Sequence, residues 1–183
     1  IAVLCVTFYC TVIRFKKFGV SILLPLFGVD LDIATVLLAM IPFFTILFTP
    51  LFGALVDKVG KATLWMIVGS AMVLVSHLII TFAPQGEPMY AYIAIALLGI
   101  GYSLVPSAMW PSVPKIIPEK NLGTAYSLIY WVQNLGMWAV PIYVGRIFKK
   151  EITEAGNISQ EITAAIHAEY VFIFLGIVAI ATA

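Results

Sequence analysis

The stretch Gly53-Ala-Leu-Val-Asp57-Lys58-Val-Gly60-Lys61 contains one carboxylate, two lysines and two glycines within nine positions. It stands between two runs that hold no charged residue, 33–56 and 62–86. Each run is longer than the roughly 20 residues that carry an apolar helix across a bilayer. We therefore interpret the stretch as a short polar loop that joins two membrane-spanning helices.

The composition of the whole chain is that of an integral membrane protein. Of the 183 residues, 62% are hydrophobic and 10% are charged, whereas a soluble domain carries about 25% charged residues. Two more charge-free runs, 88–114 and 121–145, are long enough to span a bilayer. The formal net charge of +1 predicts no nucleic-acid partner. The expected surroundings of the chain are therefore lipid.

These runs and the apolar chain ends predict an all-α fold, a polytopic transmembrane bundle of six helices. The predicted helices cover about 1–26, 32–56, 62–82, 89–113, 122–148 and 168–183. A short amphipathic helix is expected before the last of them, because Ile158, Ile162 and Ile166 recur at four-residue spacing. The chain starts and stops within apolar sequence, so we interpret it as a fragment cut through its first and last helices.

Basic residues give a weak indication of orientation. Six spans place four basic residues on the side of the 53–61 loop: Lys58, Lys61, Lys115 and Lys120. They place six on the opposite side: Arg14, Lys16, Lys17, Arg146, Lys149 and Lys150. Cytoplasmic loops ordinarily carry the excess of Lys and Arg. The count therefore mildly favours a loop that lies outside.

The spacing Gly53-x-x-x-Asp57-x-x-Gly60-Lys61 resembles the loop between the second and third helices of each half of the major facilitator superfamily, a family of secondary membrane transporters. Those proteins have twelve helices in two six-helix halves. Because the motif follows the second of six spans, the chain is similar to the C-terminal half, and its partner would be the missing N-terminal half. The resemblance implies a cytosolic loop. The chain departs from the family pattern at Ala62, where a second basic residue is usual.

The resemblance also implies that the loop gates transport. Gly53 would let two helices approach closely. Asp57 would face the N-terminus of the fifth span, around 121–124, where unpaired N–H groups carry partial positive charge. Lys58 and Lys61, on either side of Gly60, would anchor at lipid head groups. A plainer interpretation of the same residues is a helix–turn–helix connection with solvated charges.

Three further stretches, 109–114, 118–126 and 133–136, resemble the branch of the superfamily that contains lysosomal dipeptide transporters and their bacterial relatives. The resemblance implies a small-molecule substrate, a dipeptide or similar zwitterion, carried by alternating access without a cofactor. A bacterial inner membrane is the expected location, ahead of a lysosomal or other eukaryotic membrane. The alternative function is a transporter-like receptor or assembly subunit that does not transport.

The first candidate substrate contacts are basic side chains at membrane depth. Arg14 and Lys17 are three residues apart on one helical face, and an ionisable group at that depth normally faces a water-filled cavity. Arg14 is expected to bind a substrate carboxylate, with Lys17 beside it. The alternative places both side chains at the outer head groups. Lys16 points elsewhere and is expected to be solvated.

Four uncharged side chains complete the candidate set. Tyr9 offers a hydroxyl group, although its five-residue separation from Arg14 sets it off that helical stripe. Tyr102 and Trp110 are eight apart and would stack on a substrate, unless Trp110 belongs to an interfacial aromatic belt. Asn134 is expected in the cavity, with an inter-helix hydrogen bond as the alternative.

The sequence predicts neither a catalytic site nor a metal site. His77 is expected to be a packed or interface histidine, because its own span holds no acidic partner and the resemblance puts its helix outside the cavity. Glu87 and Glu169 are expected at helix edges, which leaves no carboxylate inside a complete span. A membrane-embedded enzyme would need a His/Asp/Glu or Ser/His cluster at one depth.

Overall fold

The computed structural model describes residues 1–154 and 156–183, and this part of the chain is helical apart from short turns. Its α-helices are, in chain order, α1 (Ala2–Tyr9), α2 (Phe15–Phe27), α3 (Leu31–Val59), α4 (Ala62–Phe82), α5 (Pro88–Ile116), α6 (Leu122–Glu151) and α7 (Ile158–Thr182). A π-helical turn, Cys10–Arg14, joins α1 to α2, and a 3₁₀ turn, Glu119–Asn121, precedes α6. Because α1, the π turn and α2 form one rod, the described chain makes six rods. The predicted all-α, six-helix bundle is confirmed.

Four of these helices, α3, α4, α5 and α7, are long and apolar enough to cross a membrane, counted over the described residues. The 30-residue α6 is longer than any of them. It is also more polar, because it carries Gln133, Asn134 and three tyrosines among its apolar side chains. A helix of this composition has one side suited to lipid and another suited to protein or to a polar cavity.

The first five rods end within three residues of the predicted limits. The last rod differs, because α7 begins at Ile158 and the predicted start at 168 was wrong. Asn157 caps the helix there, and its side-chain oxygen accepts a hydrogen bond of 3.3 Å from the backbone N–H of Gln160. The separately predicted amphipathic helix is thus the first part of α7. As a result, Glu169 lies well inside a helix and not at its edge.

The tightest helix contact joins α4 to α5. A Cβ atom built on Gly101 would stand 2.8 Å from the carbonyl oxygen of Gly69, and one built on Gly69 would stand 3.1 Å from the carbonyl oxygen of Gly101. Small residues allow membrane helices to approach in this way. The other face of α5 packs against α3, so α5 lies between two neighbours.

The least covered helix is α6. Its buried side chains are Ile129, Gln133 and Val144, while Trp131 and Trp138 are exposed. An exposed apolar surface of this kind on a membrane helix is covered by lipid or by further protein. The core of the bundle instead forms around the first rod and α7, where Phe8, Phe15 and Phe172 are fully buried.

Candidate functional site

A cavity of about 610 Å³ opens between the first rod, α3 and α5. Its lining residues are Ile13, Lys16, Lys17, Pro42, Thr45, Ile46 and Tyr102. Beyond Lys17, α2 continues for ten residues to Phe27, which is about 15 Å at 1.5 Å per residue. The two lysines therefore lie near the middle of the first rod.

Lys16 and Lys17 both line the cavity, so the expectation that Lys16 points elsewhere was wrong. The π turn before them accounts for the difference. It inserts about one extra residue into a helical turn, which rotates every later side chain by about 100° relative to an uninterrupted helix. Neither lysine forms an ion pair with a described carboxylate. Two lysine side chains without an ion-pair partner among the described residues thus line one cavity midway along the first rod.

Arg14 ends the π turn, and this turn packs against α6 and α7. Its Nε atom is buried and has no hydrogen-bond partner among the described residues. Tyr9 precedes Arg14 by five residues, which is the hydrogen-bond spacing of a π-helix. The Tyr9 hydroxyl group bonds to Trp110 of α5. Arg14 itself is not part of the cavity lining; it follows the lining residue Ile13.

Aromatic side chains from three rods form a continuous surface, the aromatic wall, composed of Tyr9, Tyr102, Trp110 and Tyr130. Trp110 Nε1 donates a hydrogen bond of 2.9 Å to the hydroxyl oxygen of Tyr9. The ring centroids of Tyr9 and Tyr102 are 5.9 Å apart in an edge-on arrangement. The indole of Trp110 stacks on Tyr130 at 5.1 Å. Because Tyr102 also lines the cavity, the wall leads from the two lysines towards α6.

Tyr130 was missed in the sequence analysis. It lies on α6 midway between Tyr126 and Asn134, and spacings of four residues put all three side chains on one helical face. That spacing was the signal that could have identified it. Asn134 is exposed on this face, and its Nδ2 donates a hydrogen bond of 2.8 Å to the carbonyl oxygen of Tyr130. Its neighbour Gln133 is buried instead and accepts a hydrogen bond of 3.6 Å from the Cys5 thiol.

The loop motif folds as a sharp reversal between α3 and α4. α3 continues to Val59, Gly60 has φ +71° and ψ −148°, and Lys61 has φ +54°. A backbone with this φ and ψ is nearly restricted to glycine. The carbonyl oxygen of Gly60 also accepts a hydrogen bond of 3.0 Å from Trp65 Nε1. Gly60 therefore makes the turn, and Trp65 holds it.

The expected contact between Asp57 and the start of α6 is absent among the described residues. Asp57 is exposed and forms no hydrogen bond or ion pair there, because α3 packs against α5 and α2. A Cβ atom built on Gly53 would meet nothing within 4 Å. The expectation that Gly53 permits a close helix approach within this chain was therefore also wrong. Lys58 and Lys61 are exposed beside them.

A buried pair of polar side chains lies away from the cavity, between α4 and α7. His77 Nδ1 and Glu169 Oε2 are 2.7 Å apart, and both side chains are fully buried. The rings of Phe15 and Phe172 lie 5.2 and 5.4 Å from the imidazole. His77 is packed as expected, but its acidic partner comes from another helix, and the expectation that no carboxylate lies inside a span was wrong. Nowhere in 1–154 or 156–183 do three potential metal ligands converge.

Comparison with known sequences places the chain in a family. The profile of the Major Facilitator Superfamily matches residues 1–141. The chain is 35% identical over 147 residues to the lysosomal dipeptide transporter MFSD1 of Homo sapiens, a match that covers 80% of this chain and 31% of the human protein. It is 37% identical over 145 residues to MFSD1 of Mus musculus, covering 79% of this chain and 30% of the mouse protein. The chain thus spans about a third of the length of the curated relatives that it matches.

The residues matched by the profile include the 53–61 loop, the cavity lining and the whole aromatic wall. The match extends over more than half of the chain, and the six-rod apolar bundle agrees with it. The resemblance predicted from the loop motif, and the narrower resemblance to dipeptide transporters, are both confirmed. The chain is an integral membrane protein that belongs to the Major Facilitator Superfamily of transporters.

Proposed function

We propose that the chain is the C-terminal six-helix half of a secondary transporter that carries dipeptides or similar small zwitterions by alternating access. The observation that carries the proposal is a set of three basic residues, Arg14, Lys16 and Lys17, near the middle of the first rod and without carboxylate partners among the described residues. Unpaired charge at this depth is expensive, and residues of this kind in membrane proteins mark substrate or ion pathways.

The chemistry of the cavity suits the acidic end of a zwitterion. An arginine fork and a lysine ammonium both hold carboxylates through charge-assisted hydrogen bonds. In our proposal Arg14 receives the substrate carboxylate, and Lys17 and Lys16 contribute positive potential from the adjacent cavity wall. The buried, unpartnered Nε of Arg14 supports this assignment, because the atom is a hydrogen-bond donor that awaits an acceptor.

The aromatic wall suits the rest of such a substrate. Trp110 and Tyr130 present stacked ring faces, on which an apolar side chain packs and over which an ammonium group gains cation–π attraction. Tyr9 and Tyr102 would border the carboxylate end, and the exposed amide of Asn134 would offer a hydrogen bond at the other. The cavity lining contains no acidic residue. The partner for a substrate ammonium would therefore come from the half of the transporter beyond this chain.

The gating role of the 53–61 loop is part of the same proposal. Asp57 is exposed, and a Cβ atom on Gly53 would meet nothing within 4 Å. Both residues are therefore accessible to the partner half. Asp57 would close one face of the transporter through a contact across the two halves, with Lys58 and Lys61 at the cytosolic head groups and Gly60 shaping the turn. A bacterial inner membrane was the expected location, and the relatives named above, which are vertebrate proteins named as lysosomal, do not add support to it.

Uptake of labelled dipeptides into proteoliposomes by the full-length protein tests the proposal. We expect Arg14→Ala to raise the KM for a dipeptide at least tenfold, because one charge-assisted hydrogen bond to a carboxylate contributes about 1.5–3 kcal/mol. Lys120→Ala is the matched control, since Lys120 is exposed in the 3₁₀ turn and far in sequence from the cavity lining. Lys16 is unsuitable as a control because it lines the cavity.

Equal KM values for the Arg14→Ala and Lys120→Ala variants would refute the carboxylate assignment while leaving transport intact. Absence of uptake by the unmodified, correctly folded protein with every zwitterion tried would refute the transporter proposal itself. That second outcome is the one expected of a transporter-like receptor or assembly subunit.

A further inference from the structure

A second, larger groove of about 860 Å³ runs between α6 and α7. At its mouth lie Arg146 and Lys150, four residues apart on α6, together with His167 of α7. Further along, the groove is lined by aromatic and aliphatic side chains that include Tyr143 and Phe174. The groove thus has a basic end, which suits a lipid head group, and an apolar end, which suits an acyl chain.

The basic end lies at the end of a rod. α6 ends at Glu151, so Arg146 is five residues and Lys150 one residue from the end of the helix. Since the rods alternate in direction, this end is on the side opposite the 53–61 loop. Tyr143 lies just inside it, as tyrosines do at the level of lipid head groups.

The groove lining contains one carboxylate, that of Glu151, whose Oε1 atom is 3.2 Å from His167 Nδ1. Neither Arg146 nor Lys150 forms an ion pair with a described residue. Together with Lys149, these two residues lie in the last turns of α6.

The groove lies on the flank of α6 that faces away from the substrate path. At 100° per residue, Tyr143, Arg146 and Lys150 fall within about 60° of one another. Tyr130 and Asn134, which belong to the face of the aromatic wall, fall more than about 100° from that group. The groove therefore opens to the surroundings of the bundle, which for an integral membrane protein are the acyl chains and head groups of the leaflet.

We propose that this groove binds one anionic phospholipid, with its phosphate between Arg146 and Lys150 and an acyl chain along Tyr143 and Phe174. Two features support this occupant. The mouth carries Arg146 and Lys150 without an ion-pair partner among the described residues, and such side chains bind phosphate groups through charge-assisted hydrogen bonds. The remainder of the groove is apolar, which suits an acyl chain and offers nothing to a soluble anion.

Native mass spectrometry of the full-length protein tests the proposal, with phosphatidylglycerol and phosphatidylcholine offered at equal concentration. We expect one phosphatidylglycerol to be retained in preference. The double variant Arg146→Ala/Lys150→Ala should weaken its binding about 25-fold, since each basic group near a lipid phosphate contributes about fivefold. Lys149→Ala is the control, because this exposed lysine has the same charge at the same depth but does not line the groove.

Three results would overturn the proposal. Equal retention of the two lipids would mean that the groove does not select charge. An equal loss in the Lys149→Ala variant would mean that phosphatidylglycerol binds diffusely to the basic end of α6. Failure of a photoactivatable phosphatidylglycerol to crosslink to α7 near Phe174 would mean that other protein covers the groove. All variants alter exposed side chains, and unchanged elution on size exclusion would show that they fold.

Discussion

Removing one partner of the His77–Glu169 pair should destabilise the protein far more than removing both. The two groups are 2.7 Å apart, fully buried, and enclosed by Phe15 and Phe172. His77→Leu leaves a carboxylate with no partner in an apolar site, and breaking a buried pair in this way costs about 3–5 kcal/mol. We expect the lower end, about 3 kcal/mol, because the lone carboxylate can take up a proton and lose its charge.

Removing the glutamate instead of the histidine should cost less unfolding free energy. Glu169→Met leaves the buried imidazole of His77 without a hydrogen-bond partner, and an unsatisfied buried polar group costs about 1–3 kcal/mol. The double variant His77→Leu/Glu169→Met removes both polar groups and replaces them with apolar side chains of similar size. Such replacements of buried pairs are often neutral or stabilising, so the double variant should be more stable than either single one.

The free energy of unfolding, measured by SDS titration of the full-length protein in mixed micelles, provides the readout. The exposed pair of His167 and Glu151, also held partly by α7, serves as the control. Exposed pairs contribute about 0–1 kcal/mol, so His167→Leu should change little. If His77→Leu proves as stable as the unmodified protein, or if the double variant is less stable than both singles, the pair does not hold α4 to α7 as described.

Two further predictions concern glycines. Gly101→Ala should lower the unfolding free energy by about 2 kcal/mol, within the range for overpacking, because the added methyl group would stand 2.8 Å from the Gly69 carbonyl oxygen. Gly145→Ala is the control in the same SDS titration, since its methyl group would meet nothing within 4 Å. Equal unfolding free energies for the two variants would contradict the close contact. Gly60→Ala should destabilise the protein by about 1–3 kcal/mol through backbone strain at φ +71°. Gly53→Ala is the control, because Gly53 is helical and the change should not strain its backbone. If Gly60→Ala leaves the unfolding free energy unchanged, the turn adopts another conformation.

The spans of this fold could be predicted from the sequence because lipid leaves few alternatives. Charge-free runs such as 62–86 are long enough to cross a bilayer, and an unpaired backbone group inside one would be costly, so helix follows from length and composition. The start of α7 was not predictable in the same way. Residues 158–167 are polar enough to be taken for a separate amphipathic helix, whereas in the structure they continue without a break into the last span.

The candidate site was predicted in its residue types but not in its geometry. Arg14 and Lys17 stood out because ionisable groups are rare in such sequence. The inclusion of Lys16 in the cavity lining depends on the π turn, and Cys10–Arg14 has no distinctive composition that marks it. The pairing of His77 with Glu169 was equally hidden, since the two residues are 92 positions apart and a single sequence does not report which rods touch.

The contact of Gly69 with Gly101 also has a mechanical consequence. Where side chains separate two helices, rotamer changes can absorb a small relative shift. Here the backbone of each helix lies close to that of the other, so the contact leaves little room for such adjustment. A displacement of Trp110 that tilts α5 should therefore carry α4 along, and with it the histidine at position 77 that is paired with α7. A force applied at the aromatic wall would in this way reach the opposite edge of the bundle.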